Sequence, residues 1–273
     1  MHLYCQISIN NKFIYFLSCS IMEILEKDDK MIKDRRVAFV IPAYNEELNI
    51  VKVIDEIKSE FNNAKIIVVD DGSKDDTKKI VIGKEVTCIS QPFNMGYAMA
   101  LQTGIKYAKL KGYKRVIQFD ADGQHIASEA RKLIEKMEET NCDIVIGSRF
   151  LKKGNYKQTF FRKLGTNIFS FLIKVFCKKK ISDPTSGFQC LGEKAIDRFS
   201  SFGMYPEFPD ANLIIELLYS GFKIEEIPVK MRLREYGESM HGGILKPIKY
   251  MISILYTICI IILRNAFRRG GAK

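Results

Sequence analysis

Short apolar runs alternate with segments of helical periodicity through residues 37–146, and this alternation limits the fold more than any other feature of the sequence. The apolar runs are bounded by turn residues and indicate buried strands. Apolar residues between them recur at three- and four-residue spacing, which is typical of helices. The pattern predicts βαβ units in an α/β fold, with a mostly parallel central sheet and helices on both faces. The expected strands are 37–41, 65–69, 86–89, 115–119 and 143–146, and the expected helices are 46–61, 77–83, 96–112 and 127–140.

Polar clusters follow several of these predicted strands at the point where each strand ends. They are residues 42–46, 70–73, 120–122 and 147–149. Ligands of parallel sheets bind beyond the carboxyl ends of the strands, so the clusters predict one site. Asp120 and Asp122 can share a hard divalent cation with a bound phosphate. The alternative is an Asp-rich turn with solvated carboxylates, but the convergence of the clusters favours Mg²⁺ or Mn²⁺.

The formal net charge of +11 over 273 residues indicates an anionic partner or a solvated basic surface. Aromatic residues are not interleaved with the basic residues, and no nucleic-acid motif is present, so nucleic acid is not expected. The seven cysteines form no Cys-x-x-Cys pair, which argues against structural zinc and fits reduced thiols.

The last part of the chain has the composition of a membrane-associated helix. Residues 250–263 are almost continuously apolar and are flanked by lysine and arginine. Fourteen residues are fewer than the roughly 20 needed to span a bilayer, which favours a helix that lies in the membrane plane or is shallowly inserted, with its cationic residues on anionic headgroups. The alternative is a buried helix. The apolar stretch 164–176 equally fits a membrane-surface helix or a core helix, and residues 1–34 are interpreted as an extension outside the fold.

Six motifs together resemble family 2 glycosyltransferases of the GT-A fold. They are VIPAYNEE (40–47), VDDGS (69–73), NMG (94–96), QFDADGQH (118–125), GSR (147–149) and DPTSGF (183–188). Within that family the chain resembles the polyprenyl-phosphate branch, to which dolichyl-phosphate mannose synthases belong. The resemblance covers residues 35–240. It implies a nucleotide-sugar-binding half at 35–150, an acceptor-side half at 151–240 and a membrane-associating tail at 241–273.

The resemblance also implies roles for individual residues. The expected contacts with the nucleotide base and ribose are Pro42, Ala43, Tyr44, Glu46 and Asp71. The residues expected to flank the diphosphate are Asp120, Ala121 and Asp122, and the expected metal ligands are Asp120, Asp122 and Gln124. The arginines expected to bind anionic groups of donor and acceptor are Arg149, Arg162 and Arg234. Of these residues, the resemblance implies a catalytic role for Asp122, Arg149 and Arg162.

The implied activity is that of a metal-dependent inverting glycosyltransferase. It would move a hexose or N-acetylhexosamine from a nucleotide sugar, preferably a UDP-sugar, to polyprenyl (undecaprenyl) phosphate at the cytosolic membrane face, for cell-envelope glycan synthesis. A polysaccharide hydroxyl acceptor would need a general base, for which Glu207 and Asp210 are candidates. The usual Glu-Asp pair of hydroxyl-using relatives is absent there, which favours the lipid phosphate. A small membrane partner protein is a further hypothesis, and a non-catalytic nucleotide-binding module remains an alternative.

Overall fold

The computed structural model describes residues 37–151, 160–201, 206, 208–234, 236 and 245–270. Its strands are β1 (Val37–Ala43), β2 (Lys65–Asp70), β3 (Thr87–Ser90), β4 (Arg115–Gln118), β5 (Ile144–Ser148), β6 (Gln189–Leu191) and β7 (Ile224–Pro228). Its helices are α1 (Ile50–Glu60), α2 (Thr77–Gly83), α3 (Tyr97–Leu110), α4 (Ala127–Thr140), α5 (Phe160–Cys177), α6 (Glu193–Phe199), α7 (Ala211–Tyr219) and α8 (Leu245–Gly270).

Within the described residues, the strands form one seven-stranded sheet in the order β3-β2-β1-β4-β6-β5-β7. The pairs of β1 with β2 and β4, of β2 with β3, and of β5 with β7 are parallel. Strand β6 runs antiparallel between β4 and β5. The structure therefore confirms the predicted α/β fold with a mostly parallel sheet, and it adds two strands to the five that the sequence indicated.

Strand β1 runs two residues beyond its predicted end at Ile41. Pro42 pairs with Val69, and Ala43 pairs with Asp70. The carbonyl of Val40 accepts from Phe119 on the β4 side, whereas the carbonyl of Ala43 accepts from Asp71 on the β2 side. Since alternate residues face alternate neighbours, Pro42 faces β4, whose pairing with β1 has already ended. The missing N–H of proline therefore breaks no ladder bond, and the strand continues to the site.

Helix α3 lies very close to the middle of the sheet because Gly104 has no side chain. A Cβ at Gly104 would come within 2.3 Å of Val40 Cγ1 and 3.1 Å of Val69 Cγ2. The remaining core is formed by aliphatic and phenylalanine side chains from β1, β2, β4, β5 and the helices that cover them. This packing sets where the first residue of α3, Tyr97, stands relative to the end of β4.

Helix α8 is 26 residues long and extends on both sides of the predicted apolar segment. Its stretch Lys249–Phe267, 19 residues, is long and apolar enough to cross a membrane by length and composition alone. The expectation that the apolar segment is too short to cross therefore does not hold for the helix. One side of the helix, carrying Ile254, Ile258 and Ile261, is buried within the protein, where α8 packs on α7.

Candidate active site

The two predicted metal ligands stand just beyond β4, where the chain leaves the sheet. The Asp120 carboxylate accepts a hydrogen bond from the Tyr97 hydroxyl at 3.0 Å. The Asp122 carboxylate accepts one from the Gln124 backbone N–H at 3.0 Å. The two side chains remain 31% and 14% exposed, so both can be reached by a ligand.

Arg234 links the loop that follows β1 to the loop that follows β4. Its Nη2 donates to Glu46 Oε1 at 2.6 Å, and its Nη1 lies 3.8 Å from Asp122 Oδ2. Glu46 also accepts from the Asn49 side chain at 2.7 Å. Burial raises the pKa of the Glu46 carboxyl, while Asn49 and Arg234 act in the opposite direction. Glu46 and Arg234 are 188 residues apart in the chain, and in the fold both lie close to Asp122.

The carboxylates fit a hard divalent cation that is shared with a phosphate ligand. Burial raises the pKa of both Asp120 and Asp122, and the charge of Asp120 raises that of Asp122 further. A cation between them would favour the charged forms. Among the described residues, no group of three or more His, Cys, Asp or Glu side chains could hold a metal ion alone. The two carboxylates of Asp120 and Asp122 suit Mg²⁺ or Mn²⁺, which commonly combine one or two carboxylates with substrate phosphates.

Gln124, the third predicted ligand, is held at its amide nitrogen. Its side-chain Nε2 donates to the backbone carbonyl of Arg232 at 3.3 Å. The backbone carbonyl of Gln124 accepts from the Arg232 N–H at 2.8 Å. The amide oxygen is therefore the atom that could reach a cation. Arg232 is fixed in turn by Glu56 of α1, through bonds of 2.5 and 3.1 Å.

Asp71 is placed differently from a residue that contacts a base. Its two carboxylate oxygens accept the backbone N–H groups of Met95 at 2.7 Å and Gly96 at 2.9 Å, and the residue is only 3% exposed. Burial raises the pKa of this carboxyl. The geometry favours a role in holding the 95–96 loop, and a direct contact of Asp71 with the base remains a prediction.

The other predicted nucleotide contacts surround the end of β1. Pro42 and Ala43 are the last residues of the strand, and Tyr44 is 38% exposed just beyond it. The Ala121 side chain packs in the hydrophobic core, so only its backbone can face a diphosphate.

Arg149 has a carboxylate partner within the protein. Its Nε and Nη2 both donate at 2.7 Å to the two oxygens of Asp183, which is fully buried. Nη2 also donates to the Thr185 hydroxyl at 3.0 Å. Glu226 of β7 fixes this loop by accepting the backbone N–H groups of Ser182 and Asp183. The guanidinium fork thus organises the DPTSGF loop, and its contact with a phosphate remains a prediction.

Asp210 stands at the start of α7 and contacts the C-terminal helix. Its Oδ2 accepts the Tyr250 hydroxyl at 2.6 Å. Burial raises the pKa of the Asp210 carboxyl to about 6, while Tyr250 and Arg149 act in the opposite direction. Asp210 is therefore close enough to Arg149 for their charges to interact.

Two residues named from the sequence, Arg162 and Glu207, lie partly or wholly outside the described residues. Arg162 belongs to the first turn of α5, but its side chain lies outside the described residues, as does the whole of Glu207. Sequence reasoning also missed Tyr97, Asp183 and His125 as site residues. Asp183 and His125 stand within the quoted motifs DPTSGF and QFDADGQH, so a signal for them existed, whereas nothing local marked Tyr97.

Paired aspartates that follow a central strand at the carboxyl edge of a mostly parallel sheet are the arrangement expected of nucleotide-sugar transferases. Residues 38–199 match the family model described as glycosyl transferase family 2, and the chain belongs to this family. This confirms the resemblance found in the sequence.

Curated relatives match over most of the chain. The chain is 28% identical over 243 residues to the UDP-N-acetylglucosamine–dolichyl-phosphate N-acetylglucosaminyltransferase of Methanococcus voltae, covering 81% of this chain and 96% of that protein. It is 26% identical to the polyprenol monophosphomannose synthase of Mycolicibacterium smegmatis, with 77% and 82% covered. It is 30% identical to a dolichyl-phosphate β-glucosyltransferase of Trichomonas vaginalis, with 80% and 72% covered.

The fold has solved counterparts. Glucosyl-3-phosphoglycerate synthase from Mycobacterium tuberculosis, in complex with Mn²⁺, UDP-glucose and phosphoglyceric acid, superposes with a TM-score of 0.61 at 20% identity, covering 84% of this chain and 80% of that one. At this identity the likeness establishes the fold alone.

Proposed function

We propose that the protein transfers a hexose or N-acetylhexosamine from a nucleotide sugar, preferably a UDP-sugar, to polyprenyl phosphate at the cytosolic face of a membrane. The observation that carries the proposal is the meeting of Asp120, Asp122 and Arg234 at the carboxyl edge of the sheet. Similarity over most of the chain to relatives named as a dolichyl-phosphate N-acetylglucosaminyltransferase and a polyprenol monophosphomannose synthase supports the lipid-phosphate acceptor.

In the transfer step, the bond between the anomeric carbon and the diphosphate oxygen breaks, and a bond from that carbon to an acceptor oxygen forms on the opposite face. The electron pair of the broken bond remains on the nucleoside diphosphate. Asp120, Asp122 and Gln124 would hold a divalent cation, which supplies charge neutralisation for this leaving group when bound. Arg234 adds a positive charge near Asp122, and Glu46 orients that guanidinium.

An acceptor phosphate is already an anion, so this step needs no strong general base. The exposed side of α8 is suited to bring such a lipid to the domain. Its exposed apolar residues are Ile252, Tyr256, Ile260, Leu263 and Phe267, at spacings of three and four that give one face. Lys249 is exposed near the start of this helix and suits anionic headgroups.

The packing of α8 supports a helix that lies on the membrane surface. Its opposite face, with Ile254 and Ile258, is buried against the domain, whereas a helix crossing a bilayer by itself would face lipid on every side. Exposed apolar side chains on α5, among them Phe171 and Val175, would extend this contact. A small membrane partner protein stays a hypothesis.

The test is transfer of a radiolabelled sugar to undecaprenyl phosphate in detergent, with a panel of nucleotide sugars and either Mg²⁺ or Mn²⁺. We expect an organic-soluble product from one donor and its loss in Asp122→Ala. If no donor yields product while UDP still binds with metal, the lipid-phosphate acceptor is wrong and the donor site stands.

Transfer to a polysaccharide hydroxyl is the second candidate. The observation that favours it is Asp210, whose raised pKa of about 6 suits a general base and whose charge interacts with that of Arg149. Asp210→Asn distinguishes the two candidates. A hydroxyl acceptor predicts a loss of kcat of about 100-fold or more, in line with the usual contribution of a general base, whereas a phosphate acceptor predicts a much smaller change.

A further inference from the structure

The two aspartates of the site differ in how the protein holds them. Asp122 accepts from the backbone of Gln124, two residues along the same loop. Asp120 is contacted by two side chains from different directions. The Tyr97 hydroxyl donates to Oδ1 at 3.0 Å, and His125 Nε2 lies 3.4 Å from Oδ2.

His125 also holds the backbone of Asp120. The Asp120 N–H donates to His125 Nδ1 at 3.0 Å. Because Nδ1 accepts this bond, the ring proton is on Nε2 and faces the carboxylate. One imidazole thus holds the main chain of Asp120 by a hydrogen bond and lies against its carboxylate.

The geometry excludes His125 as a metal ligand or a proton carrier for substrate. The residue is only 3% exposed, and both ring nitrogens face Asp120. Its ring stacks on Phe188 with centroids 4.6 Å apart and meets the edge of Phe119 at 5.2 Å. Its contribution is therefore to orientation.

The position of His125 is itself fixed by the segment that carries Arg234. His125 pairs with Met231 in an antiparallel bridge, and Arg232 N–H donates to the neighbouring Gln124 carbonyl at 2.8 Å. The imidazole is thus held from two sides, by the stacked phenylalanines and by this bridge. Tyr97 is held by its place at the start of α3.

We propose that Tyr97 and His125 are positioning residues that fix the Asp120 carboxylate in the orientation which receives the divalent cation. The inference rests on the proposed metal-dependent transfer. A carboxylate that is already oriented loses less side-chain freedom when the cation binds, so preorganisation raises metal affinity. Partners of metal ligands typically change affinity or activity by about 10- to 100-fold when they are removed.

The test is a titration of Mn²⁺, followed by electron paramagnetic resonance, on the full chain saturated with UDP. Tyr97→Phe keeps the ring and loses the hydroxyl. His125→Phe keeps an aromatic ring to stack on Phe188 and loses both polar contacts. We expect the Kd for Mn²⁺ to rise by about 10- to 100-fold in each variant.

Tyr113→Phe is the matched control, because Tyr113 precedes β4 at the opposite end of the strand from Asp120. It should leave the Mn²⁺ affinity unchanged. His125→Gln, whose amide has both a donor and an acceptor, should recover part of the affinity. Excess Mn²⁺ should restore much of the transfer rate of Tyr97→Phe, which a general loss of structure would not allow.

The outcomes separate this inference from the proposed function. If Tyr97→Phe and His125→Phe bind Mn²⁺ within twofold of the wild type, the positioning role is wrong and metal-dependent transfer stands. If only their thermal unfolding midpoints fall, the two residues are structural and the inference is overturned. If the wild type with UDP binds no Mn²⁺, both the positioning role and the metal are wrong. If affinities change as expected but no polyprenyl phosphate is glycosylated, the positioning role stands and the acceptor is wrong.

Discussion

Gly187 lies at a point where any side chain would press on the site. A Cβ built there would lie 3.0 Å from the Tyr97 hydroxyl and 3.5 Å from Asp120 Oδ2. We expect Gly187→Ala to displace one of these groups, to raise the KM for Mn²⁺ and to lower kcat by roughly 10-fold or more, because small misplacements at a reacting centre are costly.

The control for this substitution is Gly83→Ala at the end of α2. A Cβ at Gly83 meets nothing within 4 Å, so this variant should keep full activity and normal stability. Steady-state kinetics with varied Mn²⁺ compare the two variants. Equal kinetics for Gly187→Ala and the wild type would contradict the crowding at Asp120.

Asp210 should make stability depend on pH. Burial raises its folded pKa to about 6, against about 3.9 in an unfolded chain. The folded state thus binds more protons between these values, and this contribution to the free energy of unfolding is complete below pH 4 and is lost as the pH rises through 6. Asp210→Asn removes this titration. The free energy of unfolding of the variant, taken relative to that of the wild type, should therefore be higher at pH 8 than at pH 4. Urea unfolding at both pH values checks this, and an equal difference at the two would argue against it.

At the residue scale, the sequence predicted Asp120 and Asp122 correctly as neighbours of the strand end, because their placement follows from a local apolar run. It could not predict that Tyr97 reaches Asp120. The two are 23 residues apart, and their contact depends on how closely α3 lies on the sheet. That distance is set by Gly104, whose role is visible only once the helix and strand are in contact.

Among the secondary-structure elements, strands with continuous apolar runs were predictable and the two later strands were not. Strand β6 has only three residues, too few for a period to be read. Strand β7 carries Glu225 and Glu226 in its middle, which masks the apolar pattern. The structure explains both charges, since Glu225 pairs with Lys179 at 2.8 Å and Glu226 binds the backbone of the DPTSGF loop.

Within the described residues, helix α8 contacts the rest of the fold through two polar side chains, Tyr250 and Arg264, the latter paired with Glu216 of α7 at 2.9 Å. Tyr250 donates to Asp210, and its ring meets the edges of Phe169 and Phe208 at centroid distances of 6.3 and 5.1 Å. Tyr250→Phe keeps the rings and removes the hydrogen bond. Hydrogen bonds to charged groups contribute about 1.5–3 kcal/mol, so we expect faster hydrogen exchange in α8 of this variant.

The matched control is Tyr256→Phe on the same helix, where the side chain is 67% exposed. It should exchange like the wild type, as should the central strands of both variants. Unchanged exchange of α8 in Tyr250→Phe would show that the Tyr250–Asp210 bond does not hold the helix, and that its other contacts with α7, including Arg264–Glu216, are sufficient.

At the scale of the whole molecule, the structure shows where acidic and basic side chains lie. The candidate active site is rich in carboxylates, whereas exposed lysines accompany the apolar faces of α5 and α8, among them Lys174, Lys178 and Lys249. The sequence alone could not decide whether these apolar stretches belong to the core or to a surface. The structure gives each helix both a buried side and an exposed apolar side, as Phe169 and Phe171 of α5 illustrate.

This arrangement predicts that vesicle binding depends on the exposed face of α8. Ile260 is 44% exposed on that face. Burying an isoleucine side chain contributes about 1.5–3 kcal/mol, so Ile260→Glu should weaken partition into vesicles that contain anionic lipid by at least 10-fold. UDP and Mn²⁺ binding should be unchanged, because the proposed donor site is at the carboxyl edge of the sheet. Flotation with such vesicles measures the effect.

Ile82→Glu supplies the comparison, because Ile82 on α2 is 58% exposed and the change in charge is identical. It should partition like the wild type if the membrane contacts the α8 face. A loss of partition in both variants would mean that net charge, and not a defined apolar face, determines the association. Raising the salt concentration separates the two contributions further, because screening weakens attraction to headgroups while leaving the insertion of apolar side chains in place.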